Sequence, residues 1–125
     1  MYSLAVRRDF IANHFLIGGD WGNENFTHAH HYIAEVRIIS EALDQHGYLV
    51  DIVAIEAALE GVVGYFRDQL LNDKPEFVGL NPSIEHFSRI ICEKLLVAID
   101  PPGTGTLQIK LWENPNCWAG YRTNF

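Results

Sequence analysis

The chain has 125 residues, 48% of them hydrophobic and 20% charged, with a formal net charge of −7. That length and apolar content suit one domain over residues 1–125 with a moderate core. The negative balance argues against nucleic acid, whose affinity comes mostly from neutralised phosphates. No apolar run approaches the roughly 20 residues of a membrane span, and Met1-Tyr2-Ser3-Leu4 lacks the order of a signal peptide. A cytoplasmic location is therefore expected, with neither nucleic acid nor membrane as partner. Cys92 and Cys117 are too few for a disulfide framework. Cys92 falls in an apolar helical stretch and reads as packing, whereas Cys117 stands in a turn near Pro115 and its role stays open.

Residues 2 to 14 alternate as a strand, with Leu4, Val6, Arg8, Phe10, Ala12 and His14 on one face. The stretch Ile17 to Asn25 contains three glycines and no period, so it is a loop. Thr27-His28-Ala29-His30-His31-Tyr32 then packs three imidazoles ahead of a strand-like run from about His28 to Ser40. Period-2 alternation puts His28, His30, Tyr32, Ala34, Val36 and Ile38 on one face and His31, Ile33, Glu35 and Arg37 on the other. His28 and His30 can thus share a ligand that His31 cannot reach. Two neutral imidazoles at this spacing can approach one Zn²⁺ at about 2.0–2.1 Å, but a structural site needs two more ligands and a catalytic site one. Consecutive strands are usually neighbours, which brings His14 toward the pair.

A turn through Asp44-Gln45-His46-Gly47 is expected to lead into a short strand, Tyr48 to Asp51. Asp51 can also cap a helix whose apolar residues Ile52, Ile55, Leu59, Val62 and Phe66 recur every three or four positions. Gly61 and Gly64 weaken this helix, each by up to about 1 kcal/mol relative to alanine, and suggest close packing there. Asn81-Pro82-Ser83 reads as a second helix start with Asn81 at the cap, followed by a stripe of Ile84, Phe87, Ile91, Leu95 and Ala98. Glu85 falls in its first turn, where a carboxylate suits the helix dipole. His86 beside it reads as a surface or packing residue. Pro101-Pro102-Gly103 ends the helix.

Residues 106 to 113 alternate again, and Glu113 finishes the otherwise apolar face of Leu107, Ile109 and Leu111. It is either a watered strand end or a functional carboxylate. A turn through Asn114-Pro115-Asn116 precedes a last strand, Trp118 to Thr123. Strands before and after a pair of helices suggest an α+β fold, with an antiparallel sheet and two helices on one face.

Taken in order, these residues resemble the 6-pyruvoyl-tetrahydropterin synthase and 6-carboxy-tetrahydropterin synthase family. Phe10-x-Ala12-x-His14 is similar to its first zinc-ligand motif, and His28-Ala29-His30-His31-Tyr32 to its His-Gly-His-Asn-Tyr. Gly47-Tyr48-Leu49-Val50-Asp51-Ile52 resembles its Gly-Met-Val-Val-Asp-Phe, Leu71-Asn72 the end of its Asp-His-x-x-Leu-Asn, and Pro82-Ser83-Ile84-Glu85 its Pro-Thr-x-Glu. Glu113, Ala119 and Tyr121 match its closing motif. The resemblance implies the T-fold, a four-stranded antiparallel sheet with two helices on one face, whose subunits close into a barrel and stack as a hexamer, a dimer of trimers. It also implies Zn²⁺ on His14, His28 and His30 with one position open. Glu113 would anchor a pterin substrate through paired N–H groups, with Glu85 as a second substrate-binding carboxylate.

Two departures bear on mechanism. The family's catalytic cysteine, four positions before the first histidine of the His-x-His pair, is here Glu24. This looks like the subgroup in which glutamate replaces cysteine and the side chain of dihydroneopterin triphosphate is cleaved to 6-hydroxymethyl-dihydropterin. The family's Asp-His pair is here Arg67-Asp68, so the acid/base histidine and its partner are absent and Asp68 is left as a second catalytic candidate. The expected function is a zinc-dependent pterin-pathway lyase. A pterin-binding homologue that is non-catalytic or has an altered substrate, and a 6-carboxy-tetrahydropterin synthase-type activity, are the alternatives.

Overall fold

A computed structural model describes residues 1–125. Four strands form one antiparallel sheet: β1 (Tyr2–His14), β2 (His28–Ser40), β3 (Thr106–Asn114) and β4 (Cys117–Asn124), in the order β1-β2-β3-β4. Two helices, α1 (Ile52–Phe66) and α2 (Ile84–Ile99), are inserted between β2 and β3 and cover one face. This is the expected four-stranded α+β arrangement. No helix is long and apolar enough to cross a membrane.

The alternation in β1 and β2 dictates which face is covered. Phe10, Ala12, Tyr32, Ala34, Val36 and Ile38 are buried with Leu107, Ile109 and Leu111 of β3, and the helices supply Ile55, Leu59, Phe66, Phe87, Ile91 and Leu95 against them. The β1–β2 ladder runs from Tyr2 opposite Ser40 to His14 opposite His28. Three histidines thereby collect at one end of the buried face. His31 turns to the opposite face, where its Nε2 pairs with Asp9 at 2.8 Å. The outer face also holds Glu35, nearly buried between Arg7 at 3.2 Å and Arg37 at 3.9 Å.

Phe87 is the hub of the core. Its ring meets Phe10, Tyr32, Phe66 and Phe77 edge-on, with centroids 6.0, 5.2, 5.0 and 5.6 Å away. Edge-to-face contact is a favoured aromatic geometry. Tyr32 passes this rigidity on, because its hydroxyl lies 3.3 Å from Nδ1 of His14.

Local details differ from the sequence expectations in four places. Tyr48 to Asp51 is not a strand: Asp44 Oδ1 accepts from the amides of His46 and Tyr48, and the Asp44 amide donates to the Tyr48 carbonyl at 2.8 Å. A turn folded around one aspartate uses the backbone groups a strand would need. The α2 cap is Ser83, whose Oγ accepts from the His86 amide, because the Asn81 side chain accepts from the Ile17 amide instead. Ala98 is exposed, and Leu96 and Ile99 pack against the core in its place. Gly61 and Gly64 face open space, so no close packing explains them. The Asp51 cap forms as expected, accepting from the Val53 amide at 2.9 Å, and Cys92 is fully buried, its thiol pushed up to about 12 by that burial and then by Glu93.

Phe87→Ala should cost about 3–5 kcal/mol, the usual range for emptying a buried aromatic site. Urea unfolding followed by circular dichroism measures it, and a loss under 1 kcal/mol would show that the aromatic hub carries little of the stability.

Candidate metal centre

His14 ends β1 and is 3% exposed, while His28 and His30 begin β2 and are half-buried. Each offers one ring nitrogen, and the three lie within 4.8 Å of one another. The hydrogen bonds decide which nitrogens these are. Nδ1 of His14 lies 3.1 Å from the Pro82 carbonyl, and Nδ1 of His28 lies 2.8 Å from the Phe26 carbonyl. A carbonyl can only accept, so both Nδ1 atoms carry the proton and both Nε2 atoms present lone pairs. Those two Nε2 atoms are 2.9 Å apart. With no proton to share between them, they repel each other unless a cation sits between them. The His30 ring joins them, its centroid 4.8 Å from that of His14 and 4.9 Å from that of His28. Metal-ligating imidazoles usually have the far ring nitrogen tied to a carbonyl or carboxylate in this way, so the residues present fit a divalent metal.

Burial, then His30 and His28, lowers the His14 pKa from 6.5 to about 4. The ring therefore stays neutral, as a metal ligand must. Burial, then Glu113, pushes the Tyr32 hydroxyl above its ordinary value. Tyr32 is thus a fixed neutral neighbour of His14.

Beside the histidines a cleft of about 220 Å³ is lined by His14, His30, Trp21, Glu24, Glu85 and Glu113. Each carboxylate comes from a different element. Glu24 lies in the short 3-10 helix Gly22–Asn25, Glu85 in the first turn of α2, and Glu113 at an irregularity of β3 between Trp112 and Asn114. Asp68 does not line this cleft. It is exposed at the edge of β1 with φ at 60°, its amide donating to the Ile11 carbonyl at 2.7 Å, and Arg67 pairs with Glu60 at 2.9 Å. A larger groove of about 900 Å³ lies between α1 and α2, but its cations Arg89 and Lys94 already pair with Glu93 and Glu76 and it has no ligating set. The smaller cleft is the one that brings carboxylates beside the clustered histidines.

Sequence reasoning missed Trp21, Leu16, Asn81 and Ser83 as lining residues. Only the loop's density of glycine and asparagine hinted that this segment has a defined shape. The metal-free protein is expected to lose stability as pH falls. His14 is neutral in the folded state down to about 4 but takes up a proton near 6.5 when unfolded, so its contribution is complete above pH 6.5 and is lost toward pH 4. Titration of the imidazole C–H resonances measures this, and a His14 midpoint at 6.5 in the metal-free protein would contradict the burial argument.

No curated protein sequence matches the chain significantly. Among solved structures, the Caenorhabditis elegans 6-pyruvoyl tetrahydropterin synthase superposes with a TM-score of 0.83 and 19% identity, covering 98% of this chain and 95% of that one. The Plasmodium vivax 6-pyruvoyltetrahydropterin synthase gives 0.82 and 17%, covering 99% and 98%. The Escherichia coli dihydroneopterin aldolase, in complex with neopterin, shares the fold more loosely at 0.56 and 14%, covering 100% and 99%. At the level of sequence, residues 3–124 match the 6-pyruvoyl tetrahydropterin synthase family, and the chain belongs to that family.

Proposed function

We propose that the protein is a zinc-dependent lyase that acts on the side chain of dihydroneopterin triphosphate or a close relative. The observation that carries this reading is the cleft in which His14 and His30, two of the three clustered histidines, stand beside Glu24, Glu85 and Glu113. His14, His28 and His30 would hold the zinc. When bound there, zinc supplies Lewis acidity that lowers the pKa of a hydroxyl it touches.

The chain's own residues do the rest. Glu113 accepts two N–H bonds from the guanidine-like edge of the pterin ring, a pairing that fixes orientation as well as affinity. Glu85, in the first turn of α2 and lining the same cleft, is the second substrate-binding carboxylate. Glu24 takes the proton of a side-chain hydroxyl; that oxygen becomes a carbonyl as the adjacent carbon–carbon bond breaks, the bond's electron pair passes into the ring C=N, and the protonated Glu24 returns its proton to the carbon left on the ring. That step needs a base within reach of the hydroxyl, which the shared cleft provides. A catalytic glutamate has a parallel: the structure of a Plasmodium vivax 6-pyruvoyltetrahydropterin synthase, 16% identical with a TM-score of 0.82, carries a catalytic glutamate changed to alanine.

A second reading, a pterin-binding homologue without turnover, is favoured by Arg67-Asp68 standing where the family has Asp-His. Asp68 lies outside its own chain's cleft, so as a second catalytic group it would act only across a subunit contact. Such contacts suit this fold. β4 pairs only with β3, and only the Ile11–Asn13 end of β1 is partly covered, by Asp68 to Leu70. Uncovered edges of this kind favour pairing with other copies. We infer a homo-oligomer, a hexamer built as two trimers.

Incubating the zinc-loaded protein with dihydroneopterin triphosphate should yield 6-hydroxymethyl-dihydropterin by mass spectrometry. Glu24→Gln should slow the reaction by about a hundredfold or more, the usual contribution of a positioned base. Tight binding with no product in either protein would establish the non-catalytic reading instead. Light scattering should report a multiple of the 14.2 kDa chain, and a monomer would refute the assembly.

A further inference from the structure

The loop from Leu16 to Asn25 is built around one aromatic side chain that the mechanism above does not use. Trp21 lines the cleft yet is 45% exposed. An indole held at the wall of a polar cleft offers an apolar face on which a flat ring can stack. The loop is constructed to hold it there. The Asn25 side chain donates to the carbonyls of Leu16 and Gly19, both at 3.0 Å, and accepts from the Trp21 amide at 2.7 Å. The Leu16 amide donates to the Glu24 carbonyl at 2.9 Å, closing the loop at its base. The Glu24 amide donates to the Trp21 carbonyl at 3.3 Å, a three-residue turn that brings residues 21 and 24 to the same side.

Gly19 supplies the seat. A Cβ placed on it would lie 2.6, 2.9 and 3.0 Å from three carbons of the indole benzo ring, the first two closer than real Cβ atoms come, so the indole would have to shift. Gly19 is absent from the loop's left-handed residues, whereas Gly18 has φ at 87°. Its missing side chain thus serves the indole's position and not the backbone's turn.

We propose that Trp21 is the stacking wall of the cleft, covering one face of a flat heteroaromatic ring whose edge Glu113 holds. Gly19 and Asn25 are the positioning residues that keep the indole in place. This rests on the pterin reading above and adds what selects the ring: a planar fused system gains stacking that an open-chain or saturated sugar analogue cannot. The wall and the base share one loop, so ring docking also sets the distance between Glu24 and the substrate side chain.

Neopterin, a stable oxidised pterin, tests the proposal in zinc-loaded protein by isothermal titration. Trp21→Ala should weaken binding about tenfold or more, and Trp21→Phe should retain most of it, since ring stacking tolerates a change of aromatic. Gly19→Ala should weaken binding as Trp21→Ala does, and should add nothing in the Trp21→Ala background, because the clash it creates is with the indole. Zinc content should stay unchanged in every variant. Wild-type binding that is weakened by Glu113→Gln but not by Trp21→Ala overturns the stacking wall and leaves the pterin reading standing. A Gly19→Ala effect that persists in full without the indole overturns the positioning role. No neopterin binding by the wild type defeats the pterin reading itself, and the stacking proposal with it.

Discussion

The pairing of β1 with β2 is the constraint on which the rest depends. Their ladder sets His14 opposite His28 and Ala12 opposite His30, with all three imidazoles on the face the helices cover. A slip of one residue would turn every one of them to the other face. The register is held because Phe10, Tyr32, Ala34, Val36 and Ile38 must be buried on that same face. Core formation and ligand placement are therefore one event. A site assembled this way is as rigid as the sheet, which suits a metal that tolerates little error in ligand position.

The two ends of the buried face differ because the packing differs. Around Phe87 the space is filled by aromatic edges, and no buried side-chain polar atom lacks a partner. Toward His14 the helix cover stops at Pro82, whose carbonyl accepts a hydrogen bond from the imidazole N–H. Beyond that point only loop 16–25, the first turn of α2 and the end of β3 approach the sheet, and each brings a carboxylate. Loops carried on a rigid scaffold commonly bear function. Here the scaffold contributes imidazoles, and the loop and element ends contribute carboxylates.

Much of this was legible in the sequence wherever one strong period governed. The bounds Tyr2–His14 and His28–Ser40 follow from alternation alone, and His31 is excluded from the ligand set by parity. The Asp51 cap was readable because an aspartate preceded a helical stripe. What could not be read were side chains that bond to distant backbone. Asn81 looked like a cap but is used on Ile17, and Asp44 draws Tyr48 into a turn. Trp21 and Gly19 form a unit that no periodicity announces, since their contact arises from a loop's own folding. The roles of Glu24, Glu85 and Glu113 were suggested by family resemblance, and the fold adds that they share one cleft with His14 and His30.

We propose that three imidazoles, and no fourth side chain, would hold a metal beside the cleft that Glu24 and Glu113 line. X-ray absorption at the zinc edge of the loaded protein tests it most directly. The account predicts three imidazole nitrogens and one oxygen in the zinc shell, with the oxygen contribution altered when neopterin is added. A shell closed by a fourth protein ligand, or one indifferent to neopterin, would contradict it and mark the metal as structural.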